Sequence, residues 1–272
     1  MIFGAGGQFG REMVKNAKDA IPVYHSGTIH AVDFRNEEEL RNIIRQEKPD
    51  VIVNGVALTN VDACEKDNEL AYTVNAEAVK TIAKECERIG CKLVHISTDY
   101  VFNGDTGRYN EMSIPNPINF YGLSKLVGDS FTQMLENSLL IRTSGVFGYS
   151  NNFPKFVYTS LKSGKQIDAA KGFYSPIHAS NLAKATAIAI QKDLSGILNI
   201  AGERVSRYDL AVKIARSFNL PEQIRESGSI VSLTARRPFD SSLDISLAMK
   251  LIDFDFYSVE SNVYELKRTV EL

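Results

Sequence analysis

Met1-Ile2-Phe3-Gly4-Ala5-Gly6-Gly7-Gln8-Phe9-Gly10-Arg11-Glu12-Met13-Val14 opens the chain, and its reading decides the fold. The apolar residues 1 to 3 read as a strand, glycines 4, 7 and 10 as a tight turn, and Arg11 to Val14 as a helix start. Such a turn brings backbone N–H groups close to an anion, and the helix N-terminus adds its dipole. A pyrophosphate is expected there, held by Gly4, Gly6, Gly7, Gln8, Phe9, Gly10 and Arg11. A plain strand-to-helix turn would use the same glycines, so the following elements must decide. A central, buried strand usually has ~5–6 residues, and this one is shorter.

The next segments repeat the alternation. Ile21-Pro22-Val23-Tyr24 reads as a second strand, followed by His25-Ser26-Gly27, where a dinucleotide fold often carries an acid for the adenosine ribose. No acid stands there, which leaves room for a 2′-phosphate near Arg11 and Ser26. NADP(H) is therefore the expected cofactor, with NAD(H) as the second choice. Asp33, beside Phe34, either faces the adenine or serves as a turn carboxylate. Asn36 and Glu39 form a capping box for a helix with Leu40, Ile43 and Ile44 on one face, closed by Lys48-Pro49. Val51-Ile52-Val53 is a strand ending in the small residues Asn54-Gly55-Val56-Ala57, over which a cofactor can pass. Residues 68–87 read as a helix that holds Asn75 and stops at Gly90.

Leu93-Val94-His95-Ile96 is the fourth strand, ending in Ser97-Thr98-Asp99. Tyr121 and Lys125, four residues apart, share a helical face that a strand-end hydroxyl can meet. They are either a proton-handling pair or a solvated helix pair. An ammonium beside a phenol would lower its pKa from near ~10. Leu139-Leu140-Ile141-Arg142 is a fifth strand. Strands alternating with helices indicate an α/β, Rossmann-like, doubly wound parallel sheet with a smaller C-terminal substrate-binding lobe. The expected dinucleotide-binding domain spans 1–150 plus 177–203, including a helix over 181–191 and a strand at 197–200. The loop-rich segments 151–176 plus 204–272 form the lobe, with Ser206 and Asp209 capping a helix.

Composition excludes several classes. Lys+Arg 31 against Asp+Glu 33 gives net −2, which argues against nucleic-acid or membrane-surface partners. Apolar runs fall short of the ~18 residues of a spanning helix, and the N-terminus lacks a leader pattern, so a cytoplasmic protein is expected. Cys64, Cys86 and Cys91 form no Cys-x-x-Cys pair and read as buried filler; no metal site is indicated. Homodimers are common for such folds, but no interface stripe is legible.

The glycine turn, Asn54-Gly55-Val56-Ala57, Ser97-Thr98-Asp99-Tyr100-Val101-Phe102, Tyr121-x-x-x-Lys125 and Arg142-Thr143-Ser144 together resemble the extended short-chain dehydrogenase/reductase superfamily. Within it the chain looks most like the dTDP-4-dehydrorhamnose reductases, which also show motifs like Asn116-Pro117, Asn151-Asn152-Phe153 and Ala235-Arg236-Arg237-Pro238. The resemblance implies hydride delivery to the ketone of a dTDP-linked 4-keto-6-deoxy sugar, with Tyr121 as proton donor. It implies that Thr98 bonds the carbonyl oxygen, and that Lys125 holds the nicotinamide ribose and lowers the tyrosine pKa. Asp99 and Tyr100 are expected to line the sugar pocket, with Gly145, Asn152 and Arg237 as further substrate contacts. Asn75, in Val74-Asn75-Ala76-Glu77, is expected to support the cofactor side. Gly145 stands where the family usually has tryptophan, and the chain has none. Phe173 or Tyr174 either fills that space or packs under the lobe. Two other readings remain: a different sugar-nucleotide reductase or epimerase, and a non-catalytic dinucleotide-binding subunit resembling methionine adenosyltransferase beta.

Overall fold

The computed structural model describes residues 1–27, 30–150, 152–228 and 234–270. In chain order the elements are β1 (Ile2–Phe3), α1 (Gln8–Asn16), β2 (Pro22–Val23), α2 (Glu37–Glu47), β3 (Val51–Asn54), α3 (Val61–Lys66), α4 (Asn68–Tyr72), a π-helical turn (Thr73–Glu77) and α5 (Ala78–Ile89). There follow β4 (Lys92–Ile96), a 3₁₀ turn (Asp99–Val101), α6 (Phe120–Gln133), β5 (Ser138–Arg142), α7 (Phe153–Lys162), β6 (Ile167–Ala170), β7 (Phe173–Tyr174), α8 (Ala179–Gln191) and β8 (Gly196–Asn199). β9 (Val205–Ser206), α9 (Arg207–Ser217), β10 (Ile224–Ser227), α10 (Ser246–Leu251) and α11 (Val259–Val270) complete the chain.

The main sheet is parallel, in the order β2-β1-β3-β4-β5-β8. Successive residues in each strand point to opposite faces, so Ile2, Val53 and Val94 meet Met13 of α1 and Leu182 of α8. Phe3, Ile52 and Leu93 meet Leu40 and Ile44 of α2 and Ile82 of α5 on the other face. Apolar residues on both faces give the near-continuous hydrophobic strands of a covered parallel sheet. The chain leaves β1 toward β2 and returns on the far side as β3. The strand order therefore reverses between β1 and β3, and ligands of open α/β sheets bind outside the carboxyl ends at such a point. β1 is short because Gly4, at φ +79°, already turns the chain.

The later part of the chain is more ordered than its sequence suggests. α7, α9 and α11 pack around Val157, Leu210, Ile214 and Leu266, bordered by the β6–β10 and β7–β9 pairs. Ser206 caps α9 by accepting from the Asp209 N–H. Ala248, Ile252 and Phe256 join the core beneath the main sheet instead of the lobe, a long-range packing that local periodicity does not report. The helix expected over 68–87 is divided among α4, the π turn and α5. Among the described residues no helix is long and apolar enough to cross a membrane, and no cluster could hold a metal ion. All three cysteines are free and buried.

Candidate active site

The glycine turn packs its backbone too tightly for side chains. A Cβ on Gly10 would lie 2.1 Å from the Gly4 carbonyl oxygen. Gly7 caps α1 without a side-chain hydrogen bond, so the helix start keeps backbone donors for an anion. That cradle fits a dinucleotide pyrophosphate. Gln8 uses its side-chain oxygen to hold the Ser150 N–H at 3.1 Å and the Asn152 amide at 3.2 Å. Phe9 is buried in the core, leaving only its backbone for a ligand. Arg11 is exposed and donates to the Gly6 carbonyl at 2.9 Å, and Ser26 is exposed after β2. Phe34 is also core, edge-on to Phe3 at 5.2 Å. Asp33 is gripped by Arg35 at 2.6 Å, which holds its carboxyl down at about 2. Gly55, Val56 and Ala57 are half-buried along the end of β3, and the Asn54 side chain accepts from the Val56 N–H at 3.1 Å.

At the end of β4, Thr98 caps the 3₁₀ turn by accepting from the Tyr100 N–H at 3.2 Å. Asn119 caps α6 in the same way through the Gly122 N–H at 2.8 Å. A Cβ on Gly122 would sit 2.1 Å from the Tyr100 carbonyl oxygen, so glycine lets the first turn of α6 close onto the 3₁₀ turn. This sets the Tyr121 phenol beside the Thr98 hydroxyl. Burial raises the phenol pKa, opposed by the neighbouring Thr98 hydroxyl. Lys125 does not act on it as expected. Its Nζ donates to the Ile96 carbonyl at 2.7 Å and faces His95 Nε2 at 3.1 Å. Burial lowers Lys125 to about 8.

Asp99 points into the protein. Its Oδ2 accepts from Ser144 at 2.7 Å and Ser241 at 2.5 Å, and its Oδ1 accepts from Thr98 at 3.2 Å. It therefore fixes Thr98 from behind, and burial raises its pKa. Asn75 is likewise fully engaged, with the Leu58 backbone at 2.8 and 3.2 Å and with the Ser124 hydroxyl at 3.0 Å. The π turn aims this side chain between a loop and α6, a device frequent at functional sites.

The facing wall is aromatic. Tyr100 stands edge-on to Tyr121 at 5.9 Å, with the Arg207 charge acting on its hydroxyl. The Arg207 guanidinium lies 4.6 Å from the Tyr174 ring centre. Gly145 has φ +48°, and a Cβ there would lie 2.8 Å from the Tyr174 ring, so Tyr174 fills the space beside Gly145. Phe173 instead stacks with Arg204 at 3.5 Å. The Tyr174 hydroxyl has no hydrogen-bond partner among the described residues. Arg237 pairs with Asp62 of α3 at 2.9 Å and also acts on Tyr100. Asn152 is the cap of α7 and binds Gln8, which puts it at the glycine turn; Asn151 lies outside the described residues.

A family model described as RmlD substrate binding domain matches residues 1–271. The chain belongs to this family. The dTDP-4-dehydrorhamnose reductase of Escherichia coli (strain K12) is 32% identical over 265 residues, covering 90% of this chain and 88% of the relative. A crystal structure of a hypothetical dTDP-4-dehydrorhamnose reductase from Sulfolobus tokodaii has a TM-score of 0.89 and 46% identity, covering 94% of this chain and 95% of that one. The dTDP-4-dehydrorhamnose reductase of Bacillus anthracis str. Ames, in complex with NADP, has a TM-score of 0.89 and 29% identity, covering 100% and 98%.

In this family member several site-forming residues escaped the reading of the sequence. His95 looked like one member of an apolar run, Asp129 and Ser241 carried no motif, and Ser144 was read only as part of the Arg142-Thr143-Ser144 strand end. Asp129 accepts from Ser97 at 2.6 Å and lies 3.8 Å from His95, with burial raising it to about 6. An ionisable residue within a buried strand was the available signal for His95.

Proposed function

We propose that the protein is an NADP(H)-dependent reductase of a nucleotide-linked 4-keto-6-deoxy sugar, of the dTDP-4-dehydrorhamnose reductase type. The observation that carries this reading is the half-buried Tyr121 phenol, set beside Thr98 on the sheet edge that also bears the glycine turn. The names of its full-length relatives and the NADP complex of one of them support substrate and cofactor. Gly4, Gly7, Gly10 and the α1 N-terminus hold the dinucleotide pyrophosphate, and the edge Asn54–Ala57 lies along it. When bound there, the reduced nicotinamide supplies a hydride. Residues 151–176 plus 204–272 supply most of the sugar side.

The raised phenol pKa suits a reductase, because Tyr121 stays protonated at neutral pH and has a proton to give. Tyr121 donates to the keto oxygen as it becomes an alkoxide, while Thr98 turns its O–H from Asp99 to donate to the same oxygen. Asp99 keeps Thr98 in place. Lys125 presents its amine beneath the pair, and Tyr100 and Tyr174 wall the sugar. Incubation with NADPH and dTDP-4-keto-6-deoxy-L-lyxo-hexulose tests this: cofactor oxidation with formation of a dTDP-6-deoxyhexose is expected. Cofactor binding without turnover of this or any related keto sugar contradicts it.

A further inference from the structure

Beneath Tyr121 lies a buried polar cluster that the mechanism leaves without a task. His95, on β4, has no exposed surface; Asn54 faces its Nδ1 at 3.2 Å and Lys125 faces its Nε2 at 3.1 Å. Asp129 Oδ1 lies 3.8 Å from Nε2 and has no hydrogen-bond partner among the described residues. The Asn54 oxygen is committed to the Val56 N–H at 3.1 Å, so its NH₂ group is what meets the imidazole. An amide NH₂ only donates, so Nδ1 must accept, and a neutral imidazole then carries its proton on Nε2. That proton points at Lys125. An ammonium has no lone pair to receive it, so the arrangement as it stands suits a neutral lysine.

We infer that His95 is a positioning residue for Lys125, and that protonating the lysine requires the imidazole proton to pass from Nε2 to Nδ1 while Asn54 turns its amide. The added proton comes from water, and the imidazole stays neutral throughout. With the proton on Nδ1, Nε2 accepts from the ammonium, and the turned Asn54 oxygen accepts from Nδ1. The Val56 N–H is then released from Asn54 and becomes available on the edge assigned above to the dinucleotide. The charge state of Lys125 is in this way tied to the shape of the Asn54–Val56 turn. The charged and titratable groups facing the lysine are His95 from β4 and Asp129 from α6, with Arg142 of β5 acting on Asp129. Burial keeps His95 well below its ordinary range, so it does not itself take up the charge.

The inference rests on the proposed role of Lys125, but its test does not require a substrate. The pKa of Lys125 is read by carbon-13 NMR of labelled lysine in the substrate-free protein, and in parallel from the alkaline limb of kcat/KM. His95→Phe removes the acceptor, and the lysine should titrate about one pH unit lower. His95→Gln offers a carbonyl oxygen to the ammonium and should restore most of that unit. Asn54→Ala removes the donor on Nδ1, and the lysine should titrate higher than in the unaltered protein. Opposite shifts from removing the ring and from removing its neighbour Asn54 are not what loss of packing produces. Equal Lys125 titration in all four proteins, or shifts of the same sign in His95→Phe and Asn54→Ala, overturns the inference. Failure to reduce the sugar would instead count against the proposed function and leave the NMR comparison standing.

Discussion

Two buried polar clusters flank Ser97-Thr98-Asp99, and they are built on opposite rules. Around Asp99, Thr98, Ser144 and Ser241 all donate to one carboxylate, and both of its oxygens are used. Around Lys125, the His95 proton faces an amine that can no longer receive it once charged, and Asp129 keeps one oxygen without a hydrogen bond among the described residues. A fully satisfied buried network rigidifies its surroundings, whereas an incompletely matched one can hold its protons in more than one way. The first cluster fixes the position of Thr98, whose O–H turns to the substrate oxygen when that oxygen is present. The second keeps a charge adjustable near the cofactor edge. Stability should therefore suffer most at Asp99, and pH dependence should change most around Lys125.

The largest stability effect is expected from Asp99→Leu, which leaves three hydroxyls without their acceptor. At ~1–3 kcal/mol for each unmade buried hydrogen bond, partly offset by rotation toward other acceptors, the loss should be about 3 kcal/mol. Denaturant unfolding measures it, and turnover should fall roughly 10-fold as Thr98 loses its anchor. A stable protein with full turnover would show that the Asp99 cluster fixes nothing.

Asp129→Asn probes the other cluster and should act in the reverse sense. The folded-state pKa of Asp129 is raised to about 6 from an ordinary value of 3.8. The folded protein therefore binds this proton more tightly than the unfolded chain. Its stabilising contribution is complete below about pH 3.8 and is lost as pH rises through about 6. Near neutral pH the variant should gain stability relative to the parent by up to about 2 kcal/mol, and the gain should vanish toward pH 4. Thermal melts at pH 4 and 7 supply the four values needed, and a difference that does not change with pH would contradict the account.

A smaller effect is expected from Gly145→Ala, at the wall facing both clusters. Its φ of +48° disfavours any Cβ, and the Tyr174 ring must also yield. The left-handed conformation costs alanine roughly 1–2 kcal/mol, which should lower the melting temperature by a few degrees for a chain of this size. No change would mean that Tyr174 is not seated on Gly145 as described.

Much of this organisation was legible in the sequence, because it rests on local patterns. The glycine turn, the apolar runs of β3, β4 and β5 and the Asn36 cap are each decided within about a dozen residues. The juxtaposition of Thr98 with Tyr121 was suggested by a strand end and a helix face. The clusters were not legible, because their partners are remote in the chain: Asp99 meets Ser241 across 142 positions, and His95 meets Asn54 across 41. The same distance in sequence concealed the return of Ala248 and Phe256 to the main core. Gly145 announced a space, but only the fold could choose Tyr174 over Phe173 to fill it. Phe9 and Phe34 show the reverse case, where adjacency to a binding motif suggested contact and an apolar ring found the core instead.

The most direct test of the central claim is single-turnover oxidation of bound NADPH by the dTDP-linked 4-keto sugar in the unaltered protein and in Tyr121→Phe. The account predicts at least about a 10²-fold slower hydride step without the phenol, at nearly unchanged NADPH affinity. Equal rates in the two proteins would show that Tyr121 is not the proton donor and that the polar clusters beneath it serve another purpose.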